Sequence, residues 1–194
     1  MDYGRYKPGL PTAYKIIVAG GFGAGKTTTV GSISEIQPLL TEEVLTGESV
    51  GVDNTFGVER KRTTTVALDF GRITIDDDLV LYLFGTPGQN RFLFVWDELA
   101  YGAIGAVIIA DTRRLEDCFS CIDYFERIGT PIIVAVNCFD GAGRFEIEEV
   151  RMALGLDASI PIQNFDARDR ESVKEVLIAL MEHLITRPVL AAMD

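Results

Sequence analysis

Residues 20–27 read Gly20-Gly21-Phe22-Gly23-Ala24-Gly25-Lys26-Thr27 and fit the pattern G-x-x-x-x-G-K-S/T. The glycines let the backbone curl so that successive N–H groups converge on one point. Those groups, with the start of a following helix, favour an anion. A lysine at the sixth step reaches the outer phosphates of a nucleotide, and the next hydroxyl suits magnesium. The flanks agree. Ile16-Ile17-Val18-Ala19 is a short apolar run that reads as a strand, and Thr28-Thr29-Val30-Gly31-Ser32-Ile33 reads as the opening of a helix. A chance glycine-rich turn would leave the lysine, the hydroxyl and the strand unexplained.

The rest of the chain sets limits on what this loop serves. Hydrophobic residues make up 47% of the 194, ample for one large core, and the balance of 18 basic against 29 acidic residues gives a net charge of −11. Such a surface repels nucleic acid, and the longest basic cluster is only Arg60-Lys61-Arg62. No apolar run approaches the roughly 20 residues that cross a bilayer. The ends, Asp2 and Ala191-Ala192-Met193-Asp194, carry no lipidation pattern. With three cysteines and no secretory leader the expectation is a reducing cytoplasm. Cys118 and Cys121 form a lone C-x-x-C, which reads as two small residues on a helix rather than a metal site.

Punctuation and periodicity give the organisation. Gly4, Pro8, Gly9 and Pro11 mark residues 1–12 as a loose arm, and residues 13–194 read as a single domain. From Glu35 to about Arg62 periodicity fades, which predicts a long functional loop. Thr63–Phe70 and Leu79–Phe84 read as a hairpin across the acidic turn Asp76-Asp77-Asp78. Ala103–Ala110 and Pro131–Val136 are continuous apolar runs, as expected for strands buried on both faces, and a short strand is expected near Ile160–Phe165. Helices are expected at Arg91–Tyr101, Leu115–Ile128, Ile147–Leu154 and Asp169–Ile185, with Pro188 beyond the last. The only tryptophan, Trp96, reads as core, and the only histidine, His183, as a structural residue of the closing helix. Strands alternating with helices predict an α/β fold of the P-loop NTPase type. It has a doubly wound, mostly parallel sheet with one antiparallel edge strand, helices on both faces, and nucleotide at the carboxyl ends of the strands.

The order of motifs resembles the Ras-like small GTPases from Ile16 to the last helix. Within them it is closest to the bacterial MglA-like branch and the GTP-binding component of conservon operons. Thr65-Val66-Ala67-Leu68-Asp69-Phe70, Leu81-Tyr82-Leu83-Phe84-Gly85-Thr86-Pro87-Gly88-Gln89 and Asp111-Thr112-Arg113-Arg114 carry that likeness. The resemblance implies Mg²⁺ with GTP or GDP, held by Gly21, Phe22, Gly23, Ala24, Gly25, Lys26, Thr27 and Thr28. Thr65, four residues before Asp69, stands where small GTPases place the switch threonine that joins magnesium and the γ-phosphate; three threonines simply opening a strand is the alternative.

Gly88-Gln89 matches the end of D-x-x-G-Q. Gly88 N–H is expected at the γ-phosphate, with Gln89 directing the attacking water beside Lys26 and Thr65. The first position of that motif is Gly85, so the usual magnesium-side carboxylate is missing; the MglA-like branch resembles this. Asp69 on the adjoining strand is the candidate replacement, and an ordinary edge-strand carboxylate is the alternative.

Asn137-Cys138-Phe139-Asp140 fits N-x-x-D, whose carboxylate accepts from guanine N1 and N2, a donor pair adenine lacks. Cys138 replaces the usual lysine. Asp166-Ala167-Arg168 half-matches the S-A-K loop, with Ala167 N–H expected at guanine O6 and Arg168 packed over the base. Arg60, Arg62 and Arg91 flank the switches as candidate arginine fingers, with ordinary surface roles as the alternative.

The expectation is a slow regulatory GTPase. The resemblance adds a roadblock-fold, MglB-like regulator and a sensor-kinase-like complex that recruits the protein to the inner face of the membrane. A P-loop small-molecule kinase and a non-hydrolysing nucleotide-bound scaffold are the rivals.

Overall fold

The structure, a computed structural model, describes residues 10–37, 39–46, 63–88 and 93–186. Its strands are β1 (Thr12–Gly20), β2 (Leu39–Thr46), β3 (Thr63–Thr74), β4 (Leu79–Gly85), β5 (Ala103–Ala110), β6 (Ile132–Asn137) and β7 (Ile162–Phe165). Its helices are α1 (Lys26–Ile33), α2 (Leu93–Ala100), α3 (Phe119–Arg127), α4 (Ile147–Leu154) and α5 (Arg170–Thr186), with a 3-10 turn at Leu115–Cys118 leading into α3.

One seven-stranded sheet has the order β2-β3-β4-β1-β5-β6-β7. β1 pairs in parallel with β4 and β5, and β5-β6 and β6-β7 are also parallel. Only β3 runs against its neighbours. The expected α/β sheet is therefore present, but the antiparallel strand is not at the edge, because β2 covers it.

β2 occupies part of what the sequence predicts as loop. Leu39-Leu40-Thr41-Glu42-Glu43-Val44-Leu45-Thr46 has no clean alternation, so period alone does not reveal it. Main-chain pairing with β3, from Leu39↔Phe70 to Thr46↔Thr63, makes it a strand.

The sheet is buried on both faces, which explains the unbroken apolar runs. Alternation along each strand deals residues to two cores. Ile17, Ala19, Ala106, Ile108, Val134 and Val136 face α2, α3 and α4, where Trp96 stacks on Phe125 and meets Tyr124 edge-on. Ile16, Val18, Val107, Ile109, Ile133 and Ala135 face α1 and α5. Each fully buried aliphatic chain contributes about 1.5–3 kcal/mol, so the carboxyl ends of β1, β4, β5 and β6 are held on a stiff platform. No helix among the described residues is long and apolar enough to cross a membrane.

Candidate functional site

The glycine loop joins β1 to α1. Gly25 enters the helix at φ 111°, a left-handed conformation that an L side chain resists, and a Cβ there would lie 2.5 Å from Asn137 Nδ2. The Lys26 ammonium is buried and donates to the Gly20 carbonyl at 2.8 Å and the Gly21 carbonyl at 2.7 Å. Burial lowers its pKa from the ordinary lysine value.

Gly88, after β4, closes over this lysine. A side chain on Gly88 would begin 2.7 Å from Lys26 Nζ and 2.9 Å from Phe22 Cα. Gly88, the residue predicted for the second switch, thus stands against the loop. Gln89, Arg60, Arg62 and Arg91 lie outside the described residues.

The Thr27 hydroxyl donates to Asp69 Oδ2 at 2.8 Å. Asp69 is only 7% exposed, and β3-β4 pairing sets it opposite Gly85. One hydroxyl and one carboxylate are hard oxygen donors and fit magnesium. Thr65 lies in β3 opposite Val44. Four strand steps separate it from Asp69, about 13 Å at the usual rise. Of the sequence-based trio Thr27, Thr65 and Asp69, the structure brings Thr27 and Asp69 into contact.

The other end of the site is tied by Asn137, the last residue of β6. Its Nδ2 donates to the Ala24 carbonyl at 2.9 Å, and its Oδ1 accepts from Ala167 N–H at 3.2 Å. One buried side chain therefore joins the phosphate loop to both candidate base loops. The Ala167 N–H expected at guanine O6 is engaged by Asn137 here. Asp140 is exposed rather than buried, and Arg168 donates to it from Nη1 at 2.8 Å and Nη2 at 3.3 Å. Arg168 also grips Asp166 from Nε at 2.9 Å and Nη2 at 2.8 Å. These hydrogen bonds hold the Asp140 carboxyl below its usual range and take that of Asp166 to about 2.

The Asp111-Thr112-Arg113-Arg114 stretch after β5 supplies groups that sequence reasoning left without a role. Arg113 forms a fork on buried Asp111, at 2.8 and 2.7 Å, and stacks 3.8 Å from the centre of the Phe139 ring. Arg114 donates to the Phe22 carbonyl and pairs with Asp117 at 3.8 Å; the Asp117 carboxylate lies against Gly21. The only available signal was a pair of arginines directly after a buried strand.

Cys118 and Cys121 are buried beside the 3-10 turn, and burial pushes their thiols up to about 12 and about 11. Among the described residues no group of three or more His, Cys, Asp or Glu forms a metal cluster.

Solved structures share this fold. The G domain of the T. maritima FeoB iron transporter is 19% identical with a TM-score of 0.62, covering 89% of this chain and 99% of that one. The cytosolic domain of the same transporter in a GDP form is 19% identical with a TM-score of 0.63, covering 94% and 68%. The FeoB G-domain from Methanococcus jannaschii is 16% identical with a TM-score of 0.59, covering 90% and 99%. At such identities the likeness is one of fold, and it is the G-domain type of P-loop fold.

An uncharacterized protein of Methanocaldococcus jannaschii is 31% identical over 100 residues, and the chain spans about half the length of that curated relative, 52% of each. The family model described as "Conserved hypothetical ATP binding protein" matches residues 18–192, and the chain belongs to that family.

Proposed function

We propose that this chain is a regulatory GTPase: residues 13–194 form one G domain that binds Mg²⁺ with GTP or GDP and hydrolyses GTP slowly. The observation that carries this reading is Gly88 standing against Lys26 Nζ and Phe22, where a second-switch glycine would meet the outer phosphate. Lys26 neutralises phosphate charge, the loop N–H groups from Gly21 to Thr28 hold the phosphates, and Gln89 directs water. Thr27 and Asp69 would hold a magnesium ion, which would supply charge neutralisation at the phosphates. Thr65, in the switch position, would add a further hydroxyl and so couple the bound phosphate to a change of shape.

Partner choice is the output. The motif likeness to the MglA-like branch and the conservon GTP-binding proteins supports a roadblock-fold regulator on the switch surface, and a sensor-kinase-like complex that brings a cytoplasmic protein to the membrane. Nucleic acid is no partner for so acidic a chain.

The test is single-turnover hydrolysis of GTP with magnesium by the parent and Gln89→Leu, after identification of the nucleotide that co-purifies. Parent turnover abolished by Gln89→Leu supports the switch. Equal, near-zero rates in both, with and without a regulator, favour a nucleotide-bound scaffold. A second reading, adenine recognition, is favoured by the family's description and by Arg168 lying on Asp140. A GTP-against-ATP binding titration decides it, since only guanine offers the N–H pair that Asp140 accepts.

A further inference from the structure

Asp140 already accepts a donor fork. Nη1 and Nη2 of Arg168 reach its two carboxylate oxygens at 2.8 and 3.3 Å. The Watson–Crick edge of guanine presents the same chemistry: N1–H and N2–H₂ on either side of C2 are a guanidine fragment in a ring. The two forks are planar, point parallel N–H bonds at one carboxylate, and cannot occupy it together.

Arg168 is not there by accident of a floppy side chain. Asp166 holds it by two further bonds, from Nε at 2.9 Å and Nη2 at 2.8 Å, and accepts from the Arg168 main-chain N–H at 2.9 Å. Holding the guanidinium on Asp166 lowers the entropy that its bond to Asp140 must offset. The serine-to-aspartate departure at Asp166 and the arginine at Arg168 therefore work as a pair.

We propose that Arg168 is an internal stand-in for the guanine edge, a specificity-determining residue that closes Asp140 to the base and must be exchanged for guanine when nucleotide binds. This rests on the guanine reading of the site given above. On exchange Asp140 passes from one fork to the other, and Arg168 keeps Asp166 as its partner. Adenine, with an acceptor at N1, gains nothing by displacing Arg168. The arginine thus opposes guanine binding alone, moderating its affinity and speeding its release.

The experiment measures dissociation constants and release rates of GDP and ADP for the parent, Arg168→Ala and Arg168→Lys. Arg168→Ala is expected to bind GDP about fivefold tighter, the worth of an exposed ion pair, with ADP unchanged. Arg168→Lys keeps the charge without the fork and is expected to gain less. GDP affinity that stays the same overturns the inference. So does a loss for GDP and ADP together, which is the result of an arginine packed over the base. If neither parent nor variants prefer GDP to ADP, the guanine reading falls and the stand-in falls with it. A parent that prefers GDP without any gain in Arg168→Ala removes the stand-in alone.

Discussion

The Asp69 carboxylate fills the space that a side chain on Gly85 would take. A Cβ on Gly85 would sit 2.7 Å from Asp69 Oδ2 and 2.8 Å from Asp69 Cβ, and the two residues are partners in the β3-β4 register. Asp69 thus brings a carboxylate from β3 to the end of β4, where it accepts from Thr27.

Asp69→Asn should accordingly raise the magnesium concentration needed for nucleotide retention by about 10- to 100-fold, as loss of a metal-side carboxylate does. Nucleotide release against magnesium concentration measures it. Gly85→Asp alone should collide with Asp69, and Asp69→Gly with Gly85→Asp should recover the parent's magnesium dependence. An unchanged dependence in Asp69→Asn would leave Asp69 as a structural acid.

Asn137→Ala tests the bridge between the loops. It removes the bonds to Ala24 and Ala167 and leaves one buried carbonyl and one buried N–H unpaired. The expected cost is about 2–4 kcal/mol, the lower part of what two orphaned groups at about 1–3 each would sum to. That corresponds to a fall in Tm of roughly 5–15 °C for a chain of this size. Because Asn137 positions loops rather than reading a base, GTP and ATP should weaken by the same factor. A selective loss of GTP would instead place Asn137 on the base.

The sequence made some of this site plain and hid the rest, for physical reasons. The glycine loop was legible because its backbone conformation and close contacts restrict residue types directly, as Gly25 and Gly88 show. The buried runs Ala103–Ala110 and Ile132–Asn137 were legible because both faces of those strands are covered. β2 was not, because its strand character comes from pairing with β3. The role of Arg114 and the position of the Arg168 side chain were hidden for another reason. Where a long, flexible side chain lies is decided by its neighbours in space, here Phe22 and Asp117 for one and Asp140 and Asp166 for the other.

The Asp111–Arg113 pair should give the fold an acid limb. The Arg113 hydrogen bonds hold the Asp111 carboxyl below its ordinary value. A carboxyl whose folded-state pKa is lowered stabilises the fold above its unfolded pKa of about 3.9, and that contribution is lost as pH falls through the lowered value. Urea midpoints between pH 3 and 7 should therefore hold nearly level above about pH 4–5 and drop below it. Arg113→Ala leaves a buried acid without its fork and should move that drop to higher pH. It should also cost about 1–2 kcal/mol at neutral pH, modest because Arg113 is half exposed. An acid limb identical in the variant would show that other carboxyls govern it.

Thiol labelling distinguishes a packed C-x-x-C from a reactive one. Cys118 and Cys121 are 1% and 2% exposed, their Sγ atoms lie 3.8 Å from the Ile109 and Asp117 carbonyls, and burial pushes both thiols far above neutral pH. Alkylation requires the thiolate and access, and neither is supplied in the native state. Cys138 is only partly buried and sits between Asn137 and Asp140. At pH 7.5 an alkylating reagent should therefore modify Cys138 alone, with Cys118 and Cys121 following only in denaturant. Bound nucleotide should slow the Cys138 reaction, because the base would lie against its loop. Cys121 lines the same cavity of about 200 Å³ as Gly20, Gly21 and Gly88. Native-state labelling of Cys121 ahead of Cys138, read by peptide mass, would mean that the wall between α3 and the phosphate loop opens before the base loop does. In that case the stiff platform assigned to β1 and β5 could not be what holds Lys26 and Gly88 together.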